Sequence, residues 1–204
     1  MVSRAGRIKG EGISVRRKIF HMLLGTVFIL SMLAYWNLRW FFLAVLAFGI
    51  GLSFIQEKRP LPIISWFLDR YDKKGDEVPG QGPLTFFLGS VLVWFLFPDD
   101  IAVISLIVLT FGDPLAFLGG IMIRGPKLPW NKDKTYAGIL SFMIVPMIMI
   151  SAIYNPLYGA VAVITGGVAE TLCLPEKVLT DDNFLVPAST AVVVWVLSIL
   201  LSLI

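Results

Sequence analysis

The 204-residue chain has a single cysteine, Cys173, and a single histidine, His21. One cysteine excludes an internal disulfide. One histidine excludes chemistry that needs a histidine pair within one chain, including a two-histidine metal site and a two-histidine lipid phosphatase. Charge is also scarce. Only 15% of residues are charged and 57% are hydrophobic, against about 25% charged in ordinary soluble domains. Low-complexity tracts and clear internal repeats are missing, and nothing points to a nucleic-acid partner.

What is present comes in long apolar blocks. A spanning helix needs roughly 20 mostly apolar residues, and seven runs meet or approach that length: Ile19–Tyr35, Phe41–Ile55, Leu84–Phe97, Ile101–Ile123, Tyr136–Ile153, Leu157–Leu174 and Phe184–Ile204. The shorter ones fit with tilt or flanking residues. The expected fold is an all-α membrane protein of about seven transmembrane helices. A basic N-terminal arm over 1–18 precedes a single membrane-embedded catalytic domain over 19–204. No small-residue cleavage site follows the first run, so it reads as a span and not as a leader.

Charge sets the expected orientation. Arg4, Arg7, Lys9, Arg16, Arg17 and Lys18 precede span one, and Lys58, Arg59, Arg70, Lys73 and Lys74 follow span two. Arg124, Lys127, Lys132 and Lys134 follow span four, and Lys177 follows span six. With alternating spans, 16 of the 17 basic residues share one side, leaving Arg39 opposite. The positive-inside rule places that side, with the N-terminus, in the cytoplasm and the C-terminus outside. The outer connections, Trp36–Trp40, Pro98–Asp100 and Tyr154–Pro156, are short, so chemistry is expected at the cytoplasmic face. Between spans two and three, Pro62–Asp72 is too short to span and reads as an amphipathic helix in the interface.

Several polar residues stand where apolar ones would be cheaper. Asp113 lies within span four, about ten residues, or roughly 15 Å, from its inner end. A carboxylate at that depth is costly and points to function. Alternatively, Gly112 ends one helix and Asp113 caps the next, with Pro114 at its first position. Glu170 lies near the inner end of span six, after Gly166 and Gly167, and reads equally as a site carboxylate or as one reaching the interface. Asp181, Asp182 and Asn183 open span seven. One cap needs one residue, and two adjacent acids suit Mg²⁺. The basic segment Arg124–Thr135 supplies Lys127, Lys132 and Lys134 close to these acids, and cations beside carboxylates are the parts of a phosphate–metal site. Gly120, Gly125 and Lys127 lack the Gly-Lys-Ser/Thr ending of a Walker A loop. Gly80 and Gly82, in PGQGPLT, would form a turn or offer backbone N–H groups to an anion. Arg17 and His21 share a helical face, and either could pair with Glu57. Cys173 reads as packing.

The ordered segments RRKIFH (Arg16–His21), GPLTF (Gly82–Phe86), FGDPLAFLGG (Phe111–Gly120), NKDKTYAGILSF (Asn131–Phe142), AETL (Ala169–Leu172) and DDNFLVP (Asp181–Pro187) resemble the membrane-embedded lipid-alcohol kinases. That family includes dolichol kinase, phytol kinase and the CTP-dependent diacylglycerol kinase of yeast. The resemblance covers most of the chain from about Arg16. It implies transfer of the γ-phosphate of CTP, or another nucleoside triphosphate, to a long isoprenoid alcohol such as dolichol, geranylgeraniol or phytol, with Mg²⁺. It implies Asp113, Glu170 and Lys134 as catalytic residues, with Asp113 a metal ligand and Glu170 the candidate base. Lys127, Lys132, Lys134, Thr135, Gly138, Gly80, Gly82 and Asn183 would bind nucleotide, and Asp113, Glu170, Asp181 and Asp182 would hold metal. Relatives often carry a second acid shortly after the Gly-Asp pair; Leu115–Gly120 has none. A homodimer is compatible with this reading.

Two other classes fit the composition. A cytidylyltransferase acting on a lipid phosphate would use CTP and Mg²⁺ but release pyrophosphate. A small transporter would use Asp113 and Glu170 for protons or cations. The Asp-Gly-x-x-Ala-Arg signature of another class of alcohol phosphotransferase is absent.

Overall fold

Helix starts are marked by short polar caps between apolar runs. The Thr135 side chain accepts from the Gly138 N–H. Asn155 accepts from Leu157 N–H, and Pro156 takes the first helical position, where its missing N–H costs nothing. Asp181 accepts from Asn183 N–H. Asp99 and Asp100 occupy the first turn after Pro98 and favour the positive end of the helix dipole.

The computed structural model describes residues 4–35, 37–71, 77–123, 125–173 and 180–203, with the side chains of 4–14 and of Arg70 set aside. Asp72, Lys73, Lys74, Arg124, Lys177 and the ends of the sixth and seventh runs lie outside the described residues. The chain forms α1 (Arg4–Ala34), α2 (Leu38–Lys58), α3 (Pro62–Tyr71), α4 (Gln81–Leu96), α5 (Asp99–Ile107), a π turn (Val108–Gly112), α6 (Asp113–Ile123), α7 (Tyr136–Ile153), α8 (Pro156–Leu172) and α9 (Asp182–Ser202).

This is an all-α membrane protein. Five helical stretches are long and apolar enough to cross a membrane, and α4 and α8 are shorter apolar helices. Together they occupy the seven expected runs. The first differs in its start, because α1 is already helical at Arg4 and runs through the basic arm into the apolar run.

The α5–π–α6 stretch, Asp99–Ile123, is the most buried of the five. Its neighbours include α1, α7 and α9. Apolar side chains gain little by leaving lipid for a helix interface, so close packing of small residues carries more of the association. The α6–α7 contact shows this. A Cβ on Gly138 would come within 2.8 Å of the Ala116 carbonyl oxygen. Aromatic rings join α1, α2 and α4: Phe28 lies 4.0 Å from Phe42 and 5.6 Å from Phe86 between ring centroids. Helix α3 rests on α1 through Phe20, 5.7 Å from Phe67 and 5.3 Å from Tyr71.

The fourth run bends differently from the expected cap. Asp113 has helical dihedrals, φ −59° and ψ −48°, whereas an N-cap adopts extended ones. The helix therefore passes through Gly112 by a π turn instead of ending there. Such turns interrupt the regular hydrogen-bond ladder and recur at functional sites. With no capping duty, the Asp113 carboxylate is available for other contacts.

Candidate active site

Five parts of the chain converge beside the π turn. Helix α1 brings Arg17, Lys18 and His21. Helix α6 brings Asp113, α8 brings Glu170, α9 brings Asp182, and the segment before α7 brings Lys127 and Lys134. One ligand oxygen from each of Asp113, Glu170 and Asp182 lies within 4.8 Å of the other two. Asp113 and Glu170 are each only 2% exposed. Three carboxylates so close together repel one another, and burial magnifies the cost.

Lysines compensate. Lys18 Nζ donates to both oxygens of Asp113 at 2.5 Å and lies 4.0 Å from Asp182 Oδ2. Lys134 Nζ donates to Glu170 Oε1. Burial works against the Lys134 ammonium, but Glu170, Asp182 and Asp113 outweigh it and raise its pKa, keeping it charged. Glu170 Oε2 is buried and has no hydrogen-bond partner.

The segment before α7 is an ordered loop. Lys127 pairs with Thr135 across an isolated antiparallel bridge. Leu128 N–H donates to the Lys134 carbonyl at 3.0 Å, and Tyr136 N–H to the Pro126 carbonyl at 3.1 Å. Asn131 Nδ2 donates to the Thr171 carbonyl at 3.0 Å, tying the loop to the end of α8. These bonds hold Lys127 and Lys134 at the rim of a cavity of about 420 Å³, which Thr135 and Gly138 at the start of α7 also line. Arg17, Lys18, Lys127 and Lys134 line it together with Asp113, Asp133, Glu170 and Asp182. A helix N-terminus and four cations favour an anion, and clustered hard oxygens favour a divalent cation. Both together suit a metal-bound polyphosphate.

The structure thus brings Asp113, Glu170, Asp182, Lys127, Lys134, Thr135 and Gly138 to one cavity. Gly80, Gly82, Lys132, Asp181 and Asn183 do not line it. Gly80 has φ +78° and precedes α4, which is the turn reading of that segment, since the left-handed region favours glycine. Lys132 is exposed. Asp181 Oδ1 accepts from Thr85 Oγ1 at 2.9 Å and from Asn183 N–H at 3.0 Å. Burial and the neighbouring Asp182 push the Asp181 carboxyl up to about 7, against the hydrogen bonds from Thr85 and Asn183. Asn183 Nδ2 lies 3.4 Å from the Gly82 carbonyl oxygen. Cys173 is buried, with Sγ 3.1 Å from the Ala169 carbonyl oxygen.

Lys18 is the residue that motif reading left without a partner. Among the described residues, no ion pair joins Glu57 to Arg17 or His21. His21 instead lies with Nδ1 4.0 Å from Asp113 Oδ2 and its ring against Phe86 at 4.7 Å. The signal was available in part: a lysine in an apolar helix requires a counter-ion, and the acids within the other spans were the candidates.

No family model matches the chain, and no solved structure matches it. Curated proteins do. The chain is 28% identical over 200 residues to a probable phytol kinase 2, chloroplastic, of Glycine max, covering 90% of this chain and 65% of that protein. The chain is similar to phytol kinases. It is also 28% identical over 203 residues to a probable phytol kinase, chloroplastic, of Zea mays, covering 90% of this chain and 67% of that one. To phytol kinase 1, chloroplastic, of Arabidopsis thaliana it is 25% identical over 201 residues, covering 87% and 64% respectively. The chain therefore spans about two thirds of the length of these phytol kinases.

Proposed function

We propose that this chain is a membrane-embedded kinase that transfers the γ-phosphoryl group of a nucleoside triphosphate, CTP by family resemblance, to the hydroxyl of an isoprenoid alcohol such as phytol, geranylgeraniol or dolichol. One observation carries the reading. Three carboxylates from distant helices, Asp113 and Glu170 buried and Asp182 partly so, converge with Lys18 and Lys134 on a cavity, in a chain whose curated relatives are named phytol kinases.

The donor set fits Mg²⁺. Asp113, Glu170 and Asp182 offer hard oxygens within mutual reach, and the unpartnered Glu170 Oε2 leaves one of them uncommitted. Mg²⁺ held there would neutralise charge on the phosphate oxygens.

The remaining work falls to side chains. Lys127 and Lys134 attract and orient the phosphates, with Thr135 and the start of α7 beside them. Lys18 holds Asp113 in place. The alcohol oxygen forms a bond to the γ-phosphorus while the bond from that phosphorus to the β–γ bridging oxygen breaks. The nucleoside diphosphate leaves, and the alcohol proton passes to one of the carboxylates, with Glu170 the candidate base. The low-water setting limits hydrolysis of the triphosphate.

The orientation proposed from charge puts the cavity at the cytoplasmic face of a multi-pass protein. It is supported by the gathering of Arg17, Lys18, Lys127 and Lys134, from two different basic segments, around one cavity. Product analysis tests the reaction. Purified protein with Mg²⁺, nucleotide labelled in the γ-phosphate and a panel of prenols should yield a labelled lipid monophosphate and unlabelled nucleoside diphosphate. Pyrophosphate release with a lipid phosphate as substrate would identify a cytidylyltransferase instead.

A further inference from the structure

A second cavity, of about 200 Å³, lies between α2 and α4. Its walls are graded along the helices. Leu46, Ile50 and Leu88 line the apolar part, while Ser53 and Glu57, late in α2, and Gln81 and Thr85, early in α4, bring polar groups. Ser53 Oγ donates to the Pro79 carbonyl at 2.6 Å, which ties the polar end of α2 to the start of α4. Ile50 and Phe54 are largely exposed on the outer face of α2, so the cavity has access from the apolar surroundings of the helices.

Two features at the polar end point to a ligand with a neutral oxygen. Gln81 is 1% exposed, and Glu77 N–H donates to its Oε1 at 2.9 Å, fixing the amide. Its Nε2 is buried and has no hydrogen-bond partner, and a buried donor left unmade costs about 1–3 kcal/mol. Glu57 beside it disfavours an anionic headgroup. The groove and the carboxylate cavity share no lining residue, but a hydrogen bond links their walls. Thr85, in the groove wall, donates to Asp181, whose chain neighbour Asp182 lines the other cavity.

We propose that the α2–α4 groove is the binding groove for the neutral isoprenoid alcohol, with its oxygen end toward Gln81 and its chain along Leu46, Ile50 and Leu88. This rests on the kinase reading for the identity of the lipid. It assigns a role to Gln81 and Thr85 of PGQGPLT, a segment that does not line the phosphate cavity.

The test is photolabelling of the full chain, reconstituted in phosphatidylcholine vesicles, with a geranylgeraniol analogue carrying a diazirine in its chain. Adducts should map to α2 and α4, and unlabelled geranylgeraniol should displace them while added phosphatidylcholine does not. Ile50→Trp, which fills the groove from its exposed side, should weaken labelling. It should also raise KM for geranylgeraniol by about tenfold and leave KM for the nucleotide unchanged. Adducts elsewhere, displacement by phosphatidylcholine to the same extent, or an Ile50→Trp variant with unaltered labelling would overturn the proposal. Labelling needs no turnover, so the two readings separate. Displaceable labelling of the groove without phosphate transfer sinks the kinase reading alone, and a kinase labelled elsewhere sinks the groove alone.

Discussion

Lys18 and Asp113 are 95 residues apart in the chain, yet the Lys18 ammonium lies 2.5 Å from both oxygens of the Asp113 carboxylate. The contact joins α1 to the start of α6 and places a positive charge among three carboxylates that otherwise repel.

Breaking such a buried pair by removing one partner costs roughly 3–5 kcal/mol. Lys18→Met is therefore expected to lower the Tm of the detergent-solubilised protein by several degrees. Added Mg²⁺ should raise the Tm of this variant more than that of the wild type, because the released carboxylates are offered to the cation. Thermal unfolding with and without Mg²⁺ reads both effects. Equal Mg²⁺ responses would show that Lys18 and the metal do not share these ligands.

The adjacent acids Asp181 and Asp182 are expected to behave differently. Asp181 spends Oδ1 on Thr85 and on the first turn of α9. Losing a helix cap costs about 0.5–2 kcal/mol, so Asp181→Ala should lower Tm while label transfer remains dependent on Mg²⁺. Asp182→Ala should abolish transfer with a smaller change in Tm. Activity titrated against Mg²⁺ for the two variants distinguishes them, and a reversed pattern would contradict the geometry.

Lys134 and Glu170 should be strongly non-additive. Lys134→Met strands a carboxylate that is 2% exposed, whereas Glu170→Gln with Lys134→Met removes both charges. The double variant is expected to unfold at a higher temperature than Lys134→Met alone, with a coupling of about 1–3 kcal/mol, and to be inactive. Additive losses in a double-mutant cycle would mean that the pair carries no net interaction.

The helices were legible because apolar runs and their polar breaks are local. Thr135, Asn155 and Asp181 cap the helices they precede, and each of the seven runs is helical where described apart from end residues such as Tyr35, Phe97 and Cys173. Asp113 and Glu170 were legible as candidates because a carboxylate in an apolar run is anomalous on its own. Their partners were not. The Lys18–Asp113 and Lys134–Glu170 pairs depend on how distant helices pack, and Glu57 was a possible partner for Arg17 or His21 at the mouth of the first span. The π turn was not legible, because Gly-Asp-Pro also suits a helix break with Asp113 as cap, the alternative to a functional carboxylate; the helical dihedrals of Asp113 exclude the cap. Asp181 and Asp182 are chemically identical in sequence, and only the packing separates them, with Thr85 on Asp181 and the cavity beside Asp182.

Gly138 sits where α6 and α7 touch, 2.8 Å from the Ala116 carbonyl oxygen when given a Cβ. Gly138→Val should part these helices, destabilise the protein by about 1–3 kcal/mol and displace the loop that carries Lys134. The expected kinetic result is a raised KM for the nucleotide, read from initial rates at fixed alcohol concentration. An unchanged Tm and KM would show that the α6–α7 approach does not set the geometry of the cavity.

The central claim is that Asp113 and its neighbouring carboxylates perform phosphoryl transfer to a lipid alcohol. The direct measurement is label transfer from nucleotide labelled in the γ-phosphate to phytol or geranylgeraniol, for wild type and Asp113→Asn side by side, each shown to be monodisperse. The account predicts Mg²⁺-dependent labelling of the lipid by the wild type and a loss of about a hundredfold or more in the variant. Labelling that persists at the wild-type rate in Asp113→Asn, or a well-folded wild type that labels no alcohol with either CTP or ATP, would contradict it.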